Sequence, residues 1–217
     1  MDVLPQTMLF LGIIPALVLL FISLKKYDGI YKEKTMFIMF IGGIMTGVLS
    51  IVIEYATLSV GFLAVILFPV LEHLLKTIIL NMKRFQNKKE TPLYGLSLGL
   101  GFGSVFTPYY IIITSLHYDN TNMLYLALVA SIGIIILHGA TGTLIGYGVY
   151  SSKLPKYFII AVLLYIPVPL TSAIKYSPIA LIPYALIIYW YATVKIMPDI
   201  LKNNKKQLKR DSNKILK

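Results

Sequence analysis

Seven apolar stretches follow one another along this chain, at roughly 7–24, 35–53, 57–82, 92–114, 122–150, 155–174 and 178–197. About 20 mostly apolar residues suffice to carry a helix across a hydrocarbon core of about 30 Å. In lipid every backbone N–H and C=O must be satisfied within the chain, so such runs predict helices and little else. Of 217 residues, 57% are hydrophobic and only 13% charged, with mean hydropathy +0.77. That charged share is about half the usual one for a soluble domain. The expected fold is an all-α, polytopic membrane bundle of about seven transmembrane helices, forming one domain over 1–198, with a basic tail over 199–217. Pro167, Pro169, Pro178 and Pro183 interrupt the last two runs, and kinked helices are expected there.

The net charge of +11 first suggests nucleic acid, but its placement reads as topology. Lysine and arginine number four in the 25–34 loop, four in 83–91, two in 151–156 and seven from 198 onward, against Lys175 alone in the alternate loops. Basic residues concentrate on the cytoplasmic side, so the N-terminus is expected outside and the C-terminus in the cytoplasm. Asp2 before the first run and Lys25 and Lys26 after it are the wrong charge order for a cleaved signal, so that run is expected to stay. The tail reads as a solvated topology anchor, with contact to anionic headgroups of the lipid bilayer as the sharper alternative. No nucleic acid is expected as a partner, because the basic loops are scattered and carry no aromatic interleaving. No cofactor is expected: the glycine run at 95–103 lacks a Walker lysine and lies within an apolar helix. With no cysteine, thiol catalysis and disulfides are excluded. No His-Glu-x-x-His or comparable spacing is present, so no metal is expected.

Ionisable groups inside spans are costly and therefore functional candidates. Glu54, Glu72, His73, Lys76 and His138 qualify. Glu54 ends the second span and reads as interfacial. Glu72 and Lys76 stand four apart with the glutamate first, which predicts a same-face ion pair. His73 is turned about 100° from Glu72. Pro69 frees a carbonyl near this turn. His138 precedes Gly139, Gly142 and Gly146, and Gly95, Gly99 and Gly103 form one face of the fourth span, as small residues do where helices approach closely. Phe102 and Phe106 stand a turn apart on another face. At about 1.5 Å per residue, Glu72 lies roughly 15 Å, His138 roughly 18 Å, and Phe102 to Phe106 roughly 14 to 20 Å from the cytoplasmic ends. A carboxylate and an imidazole at one depth could polarise a water, the glutamate accepting a proton and the imidazole orienting or donating.

These residues resemble the PrsW-like intramembrane protease family, within the wider group of CAAX-protease and bacteriocin-processing membrane enzymes. The resemblance covers about 75 residues of spans three to five: Glu72-His73-Leu74-Leu75-Lys76, then Tyr94-Gly95 through Gly99-Leu100-Gly101-Phe102, then His138 with Gly142, Gly146 and Tyr147. It implies a multi-pass helical fold in the cell membrane and hydrolysis of a membrane-protein or peptide substrate. Glu72 would act as general base, His138 as an orienting or oxyanion-stabilising group and His73 as an auxiliary one. Lys76, Phe102, Phe106, Tyr94, Gly99 and Gly101 would support them. The chain departs from the family pattern at His73 and Phe106, where glutamates stand, and at Thr107 in place of an asparagine. Two other functions stay open: an inactive relative that binds or shields a membrane protein, and a small proton-coupled transporter. The oligomeric state is not legible.

Overall fold

The computed structural model describes residues 4–117, 121–173 and 180–198; Lys175, Pro178 and the 199–217 tail lie outside them. All regular secondary structure among the described residues is helical, without a strand. The helices are α1 (Leu4–Leu24), α2 (Glu33–Ala56), α3 (Ala64–Leu80), α4 (Thr91–Ser104), α5 (Phe106–His117), α6 (Thr121–Tyr150), α7 (Leu154–Tyr165), α8 (Pro167–Ala173) and α9 (Leu181–Tyr191).

Five segments among the described residues are long and apolar enough to cross a membrane: Phe10–Tyr27, Glu33–Ala56, Val60–Leu80, Thr91–Thr114 and Leu124–Tyr150. The sixth and seventh expected spans are shorter apolar segments, Leu154–Leu170 and Leu181–Ile196. Leu154–Leu170 is itself broken within its length. Pro167 and Pro169 lack the N–H that a continuous helix needs, and α7 gives way to α8 at Ile166. The Tyr184 hydroxyl, from α9, donates to the Leu164 carbonyl at 2.7 Å in the loosened turn. The fourth span is likewise divided, at Val105 between α4 and α5. Pro108 there cannot donate to the Ser104 carbonyl four residues back.

The bundle is organised around α4, of which every residue is buried. The Thr91–Thr114 segment is 78% buried against 28% for Phe10–Tyr27, which separates the centre of the bundle from its rim. On the rim Phe21, Met45 and Ile187 point outward and exposed, the surface expected where hydrocarbon is the solvent. The centre is built on glycine. A Cβ at Gly95 would run into the Gly142 carbonyl, and one at Gly142 into the Gly95 carbonyl. A Cβ at Gly99 would strike the His138 carbonyl, so α4 and α6 meet backbone to backbone. On the opposite side Gly43 of α2 faces the Leu98 carbonyl and Gly101 of α4 faces the Phe40 carbonyl. Ser97 Oγ donates to the Met36 carbonyl at 2.8 Å across that second seam.

Candidate functional site

His138 stands where α6 comes closest to α4. Gly99 and Gly103 make the room: a Cβ on Gly103 would lie 2.8 Å from Ile135 Cα and 3.1 Å from His138 Cβ. The imidazole is fully buried. Lys76 of α3, also fully buried, places Nζ 2.8 Å from His138 Nδ1. An ammonium carries donors only, so Nδ1 accepts and the neutral ring holds its proton on Nε2. Nε2 faces the Tyr165 hydroxyl at 2.9 Å and Glu72 Oε2 at 4.0 Å. Aromatic rings close the remaining sides. Phe102 lies 4.7 Å, Phe106 5.3 Å and Tyr165 4.6 Å from the imidazole centroid. Lys76 Nζ sits 4.7 Å over the Phe102 ring, a cation–π contact away from the surface.

The helix rotations thus bring together Glu72, Phe102, Phe106 and His138, the residues whose depths coincide in the sequence, and add Lys76, one turn from Glu72. The expected Glu72–Lys76 ion pair does not form within 4.0 Å; the lysine is drawn to His138, which offers a lone pair at hydrogen-bond distance. His73 lies at the edge of the cluster, its ring 6.3 Å from His138 and 5.2 Å from Tyr165. Its Nδ1 donates to the Pro69 carbonyl at 2.7 Å, and its buried Nε2 has no partner. Gly99 and Gly101 act through packing. Tyr94 stands apart from the site: its hydroxyl accepts the Lys32 N–H at 3.2 Å, at the start of α2, and its ring packs on Phe85.

Two groups of this site escape a reading of the sequence. Glu54 is not interfacial in the sense of a side chain turned outward; it is buried, with Ser50 Oγ donating to its Oε1 at 2.8 Å. Its carboxyl lies beside that of Glu72, within hydrogen-bonding reach if one of the two is protonated. The signal was present: Gly43, Gly47, Ser50 and Glu54 recur at helical spacing on the buried face of α2. Tyr165, on the buried face of α7 with Ala161, left a weaker trace. One tyrosine among 16 does not stand out in an apolar run.

A cavity of about 440 Å³ adjoins the cluster. Glu54 and Glu72 supply its acidic groups, and Phe68, Phe106, Tyr109, Tyr110 and Tyr165 most of its aromatic wall. It reaches Gly61 and Phe62 in the α2–α3 connection. Gly61 adopts φ +63°, a left-handed conformation natural to glycine, and turns the chain from α2 into α3. Glu72 Oε2 is buried and has no hydrogen-bond partner. Such an acceptor costs stability unless it is satisfied. No family model, curated protein or solved structure matches this chain.

Proposed function

We propose that the protein is an intramembrane endopeptidase of PrsW-like type, in which Glu72 activates a water against a peptide bond of a membrane protein. The observation that carries this reading is the placement of Glu72 Oε2, a buried and unpartnered carboxylate oxygen 4.0 Å from His138 Nε2 at the wall of the 440 Å³ cavity. Glu72 takes a proton from water as the new C–O bond forms at the scissile carbonyl. The electron pair of the C=O bond moves to oxygen, where the Nε2–H of His138 and the Tyr165 hydroxyl are donors in reach. Collapse breaks the C–N bond, and the departing amine takes the proton from Glu72. Lys76 holds the imidazole in the tautomer that donates from Nε2.

The same reading takes the five long helices and the two shorter apolar segments as seven crossings of the cell membrane. Lysine and arginine placement favours the N-terminus outside, which puts the α2–α3 connection and its end of the cavity on the outer side. The test compares new membrane-protein N-termini in cells expressing wild type, Glu72→Gln and His138→Ala at matched levels. Fragments made by wild type alone support the proposal; identical fragment sets sink it.

One observation favours a non-catalytic reading. Phe106, at a family glutamate position, lines the cavity with its ring 5.3 Å from His138. In that reading the protein binds a membrane segment without cutting it. An intact partner co-purifying equally with wild type and Glu72→Gln, with no fragments from either, would select it.

A further inference from the structure

Glu54 and Glu72 are the acidic side chains among the buried residues, and both line the one cavity. They arrive from different helices. Glu54 is set by the small-residue face of α2 and fixed through Oε1 by Ser50 at 2.8 Å. Two ionised carboxylates side by side in an apolar interior repel, and neither has a proton to donate; a pair in hydrogen-bonding reach holds one proton between them. The surrounding charges agree. His73 and His138 are each held by a single neutral arrangement, so Lys76, as an ammonium, is the cation to be balanced among the described buried residues. One shared proton leaves the carboxyl pair with a single negative charge and the cluster neutral. Two ionised carboxylates would leave a net charge far from bulk water, at several kcal/mol in such surroundings.

We propose that Glu54 is the proton-sharing partner of Glu72, so that the working acid–base group is a carboxyl pair assembled from α2 and α3. This rests on the endopeptidase reading for its role in turnover, though the pair itself does not. In turnover the pair goes from one proton to two when Glu72 takes a proton from water, and returns to one when the amine leaves with it. Glu54 acts through Glu72 as a positioning residue. By keeping the resting proton off Glu72 Oε2, it leaves that oxygen as the base.

The experiment is infrared spectroscopy of the full chain in an ester-free detergent at neutral pH, in light and heavy water, for wild type, Glu54→Gln, Glu72→Gln and Ser50→Ala. Wild type should show the C=O stretch of a protonated carboxyl, displaced in heavy water. Each glutamine variant should remove or displace that band, and Ser50→Ala should displace it less. A wild type without the band overturns the proposal, as does a band untouched in either glutamine variant. Fragment production, measured alongside, should fall at least about a hundredfold in Glu54→Gln. Full cleavage by Glu54→Gln, with the band following Glu72 alone, removes the pair and leaves the endopeptidase standing. The expected band behaviour without cleavage by any variant keeps the pair and removes the endopeptidase.

Discussion

Lys76 Nζ lies 2.8 Å from His138 Nδ1, joining a lysine of α3 to a histidine of α6 in a site where neither is exposed. A lysine that would otherwise reach along its own helix to Glu72 is instead spent on fixing an imidazole. Lys76→Met keeps most of the side-chain volume and removes the donor, leaving Nδ1 buried without a partner. The expected cost is about 1–3 kcal/mol, read as a lower unfolding temperature in detergent. Nitrogen NMR of labelled His138 should show protonated Nε2 in wild type and a mixed tautomer in Lys76→Met; an unchanged tautomer would show that Lys76 does not set it.

Tyr165→Phe removes one hydroxyl and keeps the ring that stacks 4.6 Å from His138. Stability should fall by about 1 kcal/mol, the ordinary worth of a hydrogen bond. Under the endopeptidase proposal fragment production should fall much further, because the hydroxyl lies 2.9 Å from Nε2, the nitrogen that faces Glu72. A loss of activity no larger than the loss of folded protein would confine Tyr165 to packing.

Adjacent glycines of α2 should respond oppositely to alanine. At Gly42 a Cβ meets Leu98 Cδ1 at 3.8 Å, an ordinary contact, so Gly42→Ala should be neutral or slightly stabilising through helix propensity. At Gly43 a Cβ runs into the Leu98 carbonyl, with Phe102 N at 2.7 Å, so Gly43→Ala should cost about 1–3 kcal/mol as the helices are forced apart. Thermal unfolding of the two variants side by side decides it; equal midpoints would refute the backbone seam.

Phe106 is fully enclosed beside Phe102, at 5.9 Å between rings, and shares the cavity wall with Glu54 and Glu72. Phe106→Glu would add a third carboxyl to that wall and is expected to destabilise the fold by at least about 2 kcal/mol, the cost of burying a poorly matched polar group. Phe106→Leu, apolar and slightly smaller, should stay within about 1.5 kcal/mol of wild type. If the glutamate variant is instead as stable as the leucine one, the position is wetter than its enclosure indicates.

How far the sequence reaches differs between helices and site. Apolar runs place the helices because in hydrocarbon length and hydropathy alone decide them. Depth along each helix brought Glu72, His138 and Phe102 to one level, and they meet. Rotation about the axis is what composition leaves open, and it misled twice. Lys76 turned to His138 instead of Glu72, and Glu54, placed at the end of its span, turned inward along the face of Gly43, Gly47 and Ser50. Tyr94 shows the reverse case: the resemblance attached it to the site, whereas its hydroxyl meets the start of α2 about two turns away along α4. The break at Ile166 was announced by Pro167 and Pro169, whereas the one at Val105, before Pro108, was not read in the fourth run.

Where backbone touches backbone, as between Gly95 and Gly142 or Gly99 and the His138 carbonyl, no rotamer stands between the two helices to absorb a change. The seam therefore fixes the register of α6, and with it the height of His138, against α4. The cavity wall, from Phe62 and Phe68 to Tyr109, carries large side chains on the α2–α3 connection, α3 and α5 instead. If the chamber takes a membrane segment as proposed, a library varied at Phe62, Phe68 and Tyr109 would reshape it while the glycine seam keeps its register.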